Sequence, residues 1–155
     1  MTQLQATARV ISGFPGVGKS HAKDWLEKLG YVVADSDSSQ FSKEDFPDNY
    51  IRHIQQLLSE GKHNFIFVST HDSVRQGLTE ADIDYTLVYP DKGLKATYLE
   101  RYAERGSPDG FIRLMESQWN QFIDSVRSTP QCKHIVLQSP EQYLASAIKD
   151  LIPGL

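Results

Sequence analysis

The chain of 155 residues holds a single cysteine, Cys132. It cannot form an internal disulfide, which excludes a disulfide-stapled fold and points to a reducing, cytoplasmic setting. Long apolar runs are also missing. The longest clean one is Phe65 to Val68, far short of the roughly 20 residues that a membrane helix needs, so no membrane partner is expected. Met1 to Ala8 shows no basic stretch followed by an apolar one, so no secretory leader is expected either. Basic charge is not in excess. The formal net charge is −4, which argues against a broad grip on duplex nucleic acid and leaves room only for a local basic groove. No repeat, low-complexity tract or linker divides the sequence. With 39% hydrophobic and 23% charged residues, residues 1–155 read as one domain with a real core.

The pattern alternates strand and helix. Strands are expected at Ala8 to Ser12, Tyr31 to Ala34, Asn64 to Ser69, Ile83 to Tyr89 and His134 to Gln138. Helices are expected at Lys19 to Leu29, Asp48 to Gly61, from near Thr70, at Leu94 to Arg105, Gly110 to Arg127 and Pro140 to Leu151, the last with Pro140 in its first turn. Short apolar strands separated by helices mean βαβ units and a parallel sheet. Five of them make a three-layer α/β domain, with ligands at the carboxyl ends of the strands.

After the first strand comes Gly13-Phe14-Pro15-Gly16-Val17-Gly18-Lys19-Ser20, which is G-x-x-x-x-G-K-S between a strand and a helix. Glycines let successive backbone N–H groups converge on one anion, and the helix start adds its positive end. The turn Gly13, Pro15, Gly16, Val17, Gly18, Lys19, Ser20 and His21 is therefore assigned to the phosphates of ATP. Lys19 reaches the β- and γ-phosphates, and the Ser20 hydroxyl is placed to ligate Mg²⁺. The dinucleotide fingerprint G-x-G-x-x-G does not fit, because the third position is His21.

Three classes of phosphate-loop protein compete. A GTPase switch carries D-x-x-G and N-K-x-D, and neither occurs in this chain. A motor ATPase usually ends a strand in Asp-Glu, whereas the third strand here runs Val68-Ser69-Thr70-His71-Asp72. The second strand instead ends Ala34-Asp35-Ser36-Asp37. Two carboxylates two residues apart, just past a strand, can face one crevice. Asp35 would lie beside the Mg²⁺, and Asp37 could take a proton or hydrogen bond from an acceptor hydroxyl. A polar turn that merely carries acids is the competing account.

With these features together, the chain resembles the small P-loop kinases. That group includes the nucleoside monophosphate kinases, shikimate kinase and gluconate kinase. The resemblance is carried by the phosphate loop, the Asp35-Ser36-Asp37 pair and the arginine-bearing helix after the fourth strand. The pair looks most like the shikimate and gluconate branch. Val68 to Asp72 and Arg101-Tyr102-Ala103-Glu104-Arg105-Gly106 look more like compact bacteriophage nucleotide kinases.

The resemblance implies a three-layer α/β/α P-loop NTPase fold with a five-stranded parallel sheet. It also implies an arginine, here Arg75, that holds the acceptor's anionic group; a solvated surface arginine is the alternative. Phe41, Phe46 and Tyr50 either stack an acceptor base or anchor a flap to the core. Arg101 and Arg105 share a helix face. They either pair with Glu100 and Glu104 or act from a short lid around 98–112 on the transferring phosphoryl group. Trp25 and Trp119 read as packing residues, and His71 as structural. The expected activity is ATP- and Mg²⁺-dependent phosphoryl transfer to a small acceptor, preferably a (deoxy)nucleoside monophosphate, with Asp35, Asp37, Phe41 and Arg75 around it. The rivals are a hydroxyl acceptor (nucleoside, sugar, shikimate-like alcohol or a hydroxymethylated base in DNA), a non-catalytic nucleotide-binding module, and a DNA-end kinase.

Overall fold

Phe65–Val68 is buried at every position, as a parallel strand covered on both faces must be. It is β3 of a single parallel sheet with β1 (Arg9–Gly13), β2 (Val33–Asp35), β4 (Thr86–Pro90) and β5 (Lys133–Leu137). The computed structural model describes residues 8–37 and 40–155. The expectation about a leader on residues 1–7 and the Ser38–Ser39 part of the turn after β2 lie outside them. The strand order is β2-β3-β1-β4-β5, every neighbour parallel. Helices α1 (Lys19–Lys28), α2 (Asp48–Glu60), α3 (Asp72–Glu80), α4 (Lys95–Glu104), α5 (Asp109–Arg127) and α6 (Leu144–Leu151) complete the three-layer α/β domain. α1 packs on α6, α2 on α3, and α4 on α5. No described helix is long and apolar enough to cross a membrane.

The core joins Val10, Ile11, Leu87 and Val88 of the central strands to Ile54 of α2, Trp119 and Ile123 of α5 and Ile148 of α6. Trp119 is buried and donates its indole N–H to the Lys92 carbonyl at 2.8 Å. From β1 the chain passes first to one side of the sheet and, after β3, to the other. The crevice between these two directions lies at the carboxyl ends of β1 and β3. Register brings Ser12 beside Val68, and Asp35 beside Phe67, at that edge.

Several boundaries move from the sequence expectation, each for a local reason. Tyr31 N–H still bonds to Leu26 O at the end of α1, and Val32 N–H is taken by the Asn64 side chain, so β2 starts at Val33. Ile83 N–H closes α3 on Leu78 O, which delays β4 to Thr86. α3 begins at Asp72 with His71 as its cap residue, and Thr70 does not cap it. Pro140 lies outside α6; residues 139–143 form a turn held by Gln142 Oε1, which accepts from Gln138 N–H, and α6 starts at Leu144.

One core residue positions the site directly. The Tyr50 hydroxyl donates to Ser36 O at 2.6 Å and accepts from Ser69 N–H at 3.2 Å. It ties the segment between Asp35 and Asp37 to the end of β3. Burial pushes this phenol up to about 12, so it stays a neutral donor across the physiological range. Tyr50→Phe keeps the ring packing and removes both bonds. Because two part-buried backbone groups lose a partner, it should lower stability by about 1–2 kcal/mol in urea unfolding.

Candidate active site

The turn from β1 into α1 is shaped by its carbonyls. Gly13 O accepts from Lys19 Nζ at 2.7 Å, Pro15 O from the Tyr102 hydroxyl at 2.7 Å, Gly16 O from Arg101 at 3.0 Å, and Val17 O from Leu144 N–H at 2.8 Å. Phe14 N–H is spent on Val88 O and Val17 N–H on Phe14 O, so among the described residues the Gly16 and Gly18 amides and the first amides of α1 are left for a ligand. Gly16 and Gly18 have φ of 92° and 94°, the left-handed region that glycine alone enters without strain. At Gly16 a Cβ would also meet the Tyr98 and Tyr102 rings at 3.0 Å.

Beside this turn lies an open cleft of about 800 Å³. Lys19, Ser20 and His21 enter it from α1, Asp35, Ser36 and Asp37 from the end of β2, and Ser69 from the end of β3. Arg105 and Glu104 come from α4, and Tyr143 from the cap of α6. Burial lowers the Lys19 ammonium below the ordinary lysine range; Asp35 and Asp37 oppose that shift, and Arg105 adds to it. Burial raises the Asp35 carboxyl, Lys19 opposes the rise, and Asp37 adds to it. Lysine and carboxylate thus share one poorly hydrated space. The Ser69 Oγ is buried there without a hydrogen-bond partner.

The sequence-predicted residues separate into three groups. Pro15, Gly16, Gly18, Lys19, Ser20, His21, Asp35, Asp37, Arg101 and Arg105 line the cleft. Gly13 and Val17 lie beneath it, Val17 being fully buried. Phe41 and Arg75 lie elsewhere. Phe41 stands edge-on to Tyr50 at 5.0 Å and against His53 at 5.2 Å, so its ring anchors the segment after β2 to α2 and is not offered to a ligand. Arg75 is buried, not solvated. Its guanidinium donates to Thr70 O, Ser125 O, Ser125 Oγ and Thr129 Oγ1. That occupies four of its five N–H donors and ties α3 to α5, against the expectation of an anion-holding arginine.

The two lid arginines also differ. Arg101 is clamped between the Tyr98 and Tyr143 rings, 4.4 and 4.2 Å from their centroids, and also donates to Pro140 O. It is built into the phosphate loop. Arg105 is exposed over Tyr102 at 5.1 Å, with Nε donating to Ser107 Oγ. Among the described residues neither arginine makes an ion pair, so the network with Glu100 and Glu104 does not form. Within 98–112, the part up to Tyr102 is bonded to the loop, and the part from Arg105 onward is not. Sequence reading missed Tyr98, Tyr102 and Tyr143 as supports of the loop. The four-residue spacing of Tyr98 and Tyr102, interleaved with Arg101 and Arg105, carried the signal for two of them; nothing local marks Tyr143.

No group of three or more His, Cys, Asp or Glu side chains among the described residues could hold a metal by itself. Ser20 and Asp35 line the same cleft, an oxygen pair that suits Mg²⁺ when phosphate oxygens and water complete its shell.

No protein-family model matches the chain, and no curated protein does. Among solved structures, a gluconokinase from Sinorhizobium meliloti 1021 matches with a TM-score of 0.56 at 14% identity, over 94% of this chain and 89% of that one. An uncharacterized protein from Eubacterium ventriosum ATCC 27560 matches with a TM-score of 0.47 at 13% identity, over 94% and 96%. The first likeness shows the class of fold: a three-layer α/β/α P-loop fold with a five-stranded parallel sheet, shared with a gluconokinase; it gives no support to the bacteriophage nucleotide kinases in particular.

Arg75→Ala should act on folding. It removes a buried guanidinium that bridges Thr70 O to Ser125 and Thr129 and should lower stability by about 1–3 kcal/mol in urea unfolding, with nucleotide affinity unchanged below the transition.

Proposed function

We propose that the chain is an ATP- and Mg²⁺-dependent phosphotransferase acting on a hydroxyl of a small acceptor. The observation that carries this reading is the meeting of Lys19, Ser20, Asp35 and Asp37 in one cleft at the carboxyl edge of the sheet. The loop amides and Lys19 hold the phosphates. Ser20 and Asp35 are the residues that would hold Mg²⁺, which when bound neutralises charge on the phosphate oxygens. Asp37 takes the proton as the acceptor oxygen bonds to the γ-phosphorus and the bond to the β-phosphate oxygen breaks, leaving ADP. Arg105, exposed at the cleft rim, supplies positive charge to the transferring group when the segment that follows it closes.

The (deoxy)nucleoside monophosphate expected from sequence loses support at the residue meant to hold its phosphate. The cleft itself is balanced, with Lys19, Arg101 and Arg105 beside Asp35, Asp37 and Glu104. Arg75, the arginine expected to receive its phosphate, is spent on α5. A bidentate phosphate clamp needs two free N–H groups, and Arg75 retains one.

Two substitutions test this reading. Lys19→Ala should cut kcat/KM for ATP by about 10²–10³-fold while the circular dichroism spectrum stays unchanged. Equal turnover in that variant sinks the assignment. Asp37→Asn should slow transfer to an alcohol by about 10²–10⁴-fold with ATP affinity retained; retained transfer would take the proton-accepting role away from Asp37.

A further inference from the structure

A second cavity, about 310 Å³, opens beside the phosphate cleft between the β1–α1 turn, the start of α3 and the face of α5. Pro15 and Phe111 line both spaces, so the two adjoin across these residues. The walls are Phe14, Phe111, Leu114, Met115 and Phe122. Leu114 is 48% exposed on this wall, and Phe111 and Phe122 are only half-buried. Apolar surface left wet in a concave site next to reactive groups is the usual character of a ligand pocket.

The polar lining is Thr70, His71, Asp72 and Arg75 around the start of α3, with Ser125 on α5. Arg75 has four donors already used, and Ser125 is one of its partners. A polyol spread over the α5 face would bury hydroxyls against the carbon of Phe111, Leu114, Met115 and Phe122, and each such hydroxyl would cost free energy without a partner. Three phenylalanine rings around a space of this size suit a flat body of one or two rings, which packs against them by edge and face. We propose that the acceptor is an aryl alcohol: its aromatic body sits on the α5 face and its hydroxyl reaches past Pro15 to the Asp37 side of the cleft. The assignment rests on the phosphotransfer reading for the hydroxyl end and on the pocket for the aromatic end.

The chain contains two methionines, Met1 and Met115, so the Met115 methyl is a nearly isolated reporter inside the pocket. Protein labelled with ¹³C at the methionine methyls is titrated with 2-phenylethanol, indole-3-ethanol, glycerol and gluconate, in Mg²⁺ and a non-hydrolysable ATP analogue. The two aryl alcohols should shift the Met115 signal saturably, and glycerol and gluconate should not. Leu114→Asp, at an exposed helical position, should weaken aryl binding about tenfold, and Leu114→Met should preserve it. Saturable shifts from the polyols alone, or aryl binding indifferent to Leu114→Asp, overturn the proposal. ATP turnover on the same compounds separates the two readings. Aryl binding without a phosphorylated product overturns the acceptor role and leaves an aryl-binding pocket, while the phosphotransferase reading falls only if Lys19→Ala leaves ATP turnover unchanged. Phosphorylation of a polyol with no aryl binding overturns the aryl assignment and keeps the phosphotransferase.

Discussion

A chain reversal can offer its amides to an anion only if its carbonyls find partners in another direction. In this protein those partners come from three sources. Tyr102 and Arg101 reach the loop from α4, Leu144 N–H from the start of α6, and Lys19 folds back on Gly13. Elements more than 80 residues later in the chain therefore set the shape of the first turn. The aromatic layer of Tyr98, Tyr102 and Trp119 under the loop belongs to the same constraint, because only glycine at position 16 leaves room for those rings.

The charges in the cleft follow from that shape. Lys19 is drawn into a poorly hydrated place by its bond to Gly13, and burial works against its charge. Asp35 answers it from β2, more exposed than the lysine but raised by desolvation all the same. Tyr50, by pinning Ser36 to the end of β3, keeps Asp35 and its neighbour Asp37 at the cleft. A site that holds a half-buried lysine and a partly desolvated carboxylate suits an anion and a cation together, the anion against the lysine and the cation against the carboxylate.

The arginines show how one residue type divides into different tasks. Arg101 is consumed by two carbonyls and two rings, and Arg75 by α5. Arg105 alone of the three faces the cleft without a backbone carbonyl or carboxylate partner among the described residues. The tie from Arg75 also fixes α5 against α3, and α5 supplies the apolar wall beside the cleft. A side chain expected to bind the acceptor instead supports the wall that would hold it.

The sequence by itself determined the element order, the parallel sheet and the phosphate turn. Those rest on short-range rules: apolar runs of strand length, helix periodicity, and glycines spaced for backbone conformations that other residues avoid. It also placed Asp35 and Asp37 at a strand end, where the topology opens a crevice. It did not determine what the long side chains do. Arg75, Arg101 and Arg105 look alike along the chain, and Phe41 looks as available as any exposed ring. The fates of Arg75 and Arg101 depend on which partners lie within reach across 39 to 85 positions of sequence, as in Arg75 with Ser125, Arg101 with Gly16 and Arg101 with Pro140. A flexible side chain takes whichever carbonyl, ring or hydroxyl the packing brings within hydrogen-bond distance, and only the folded arrangement of α3, α4, α5 and the loop decides which one that is.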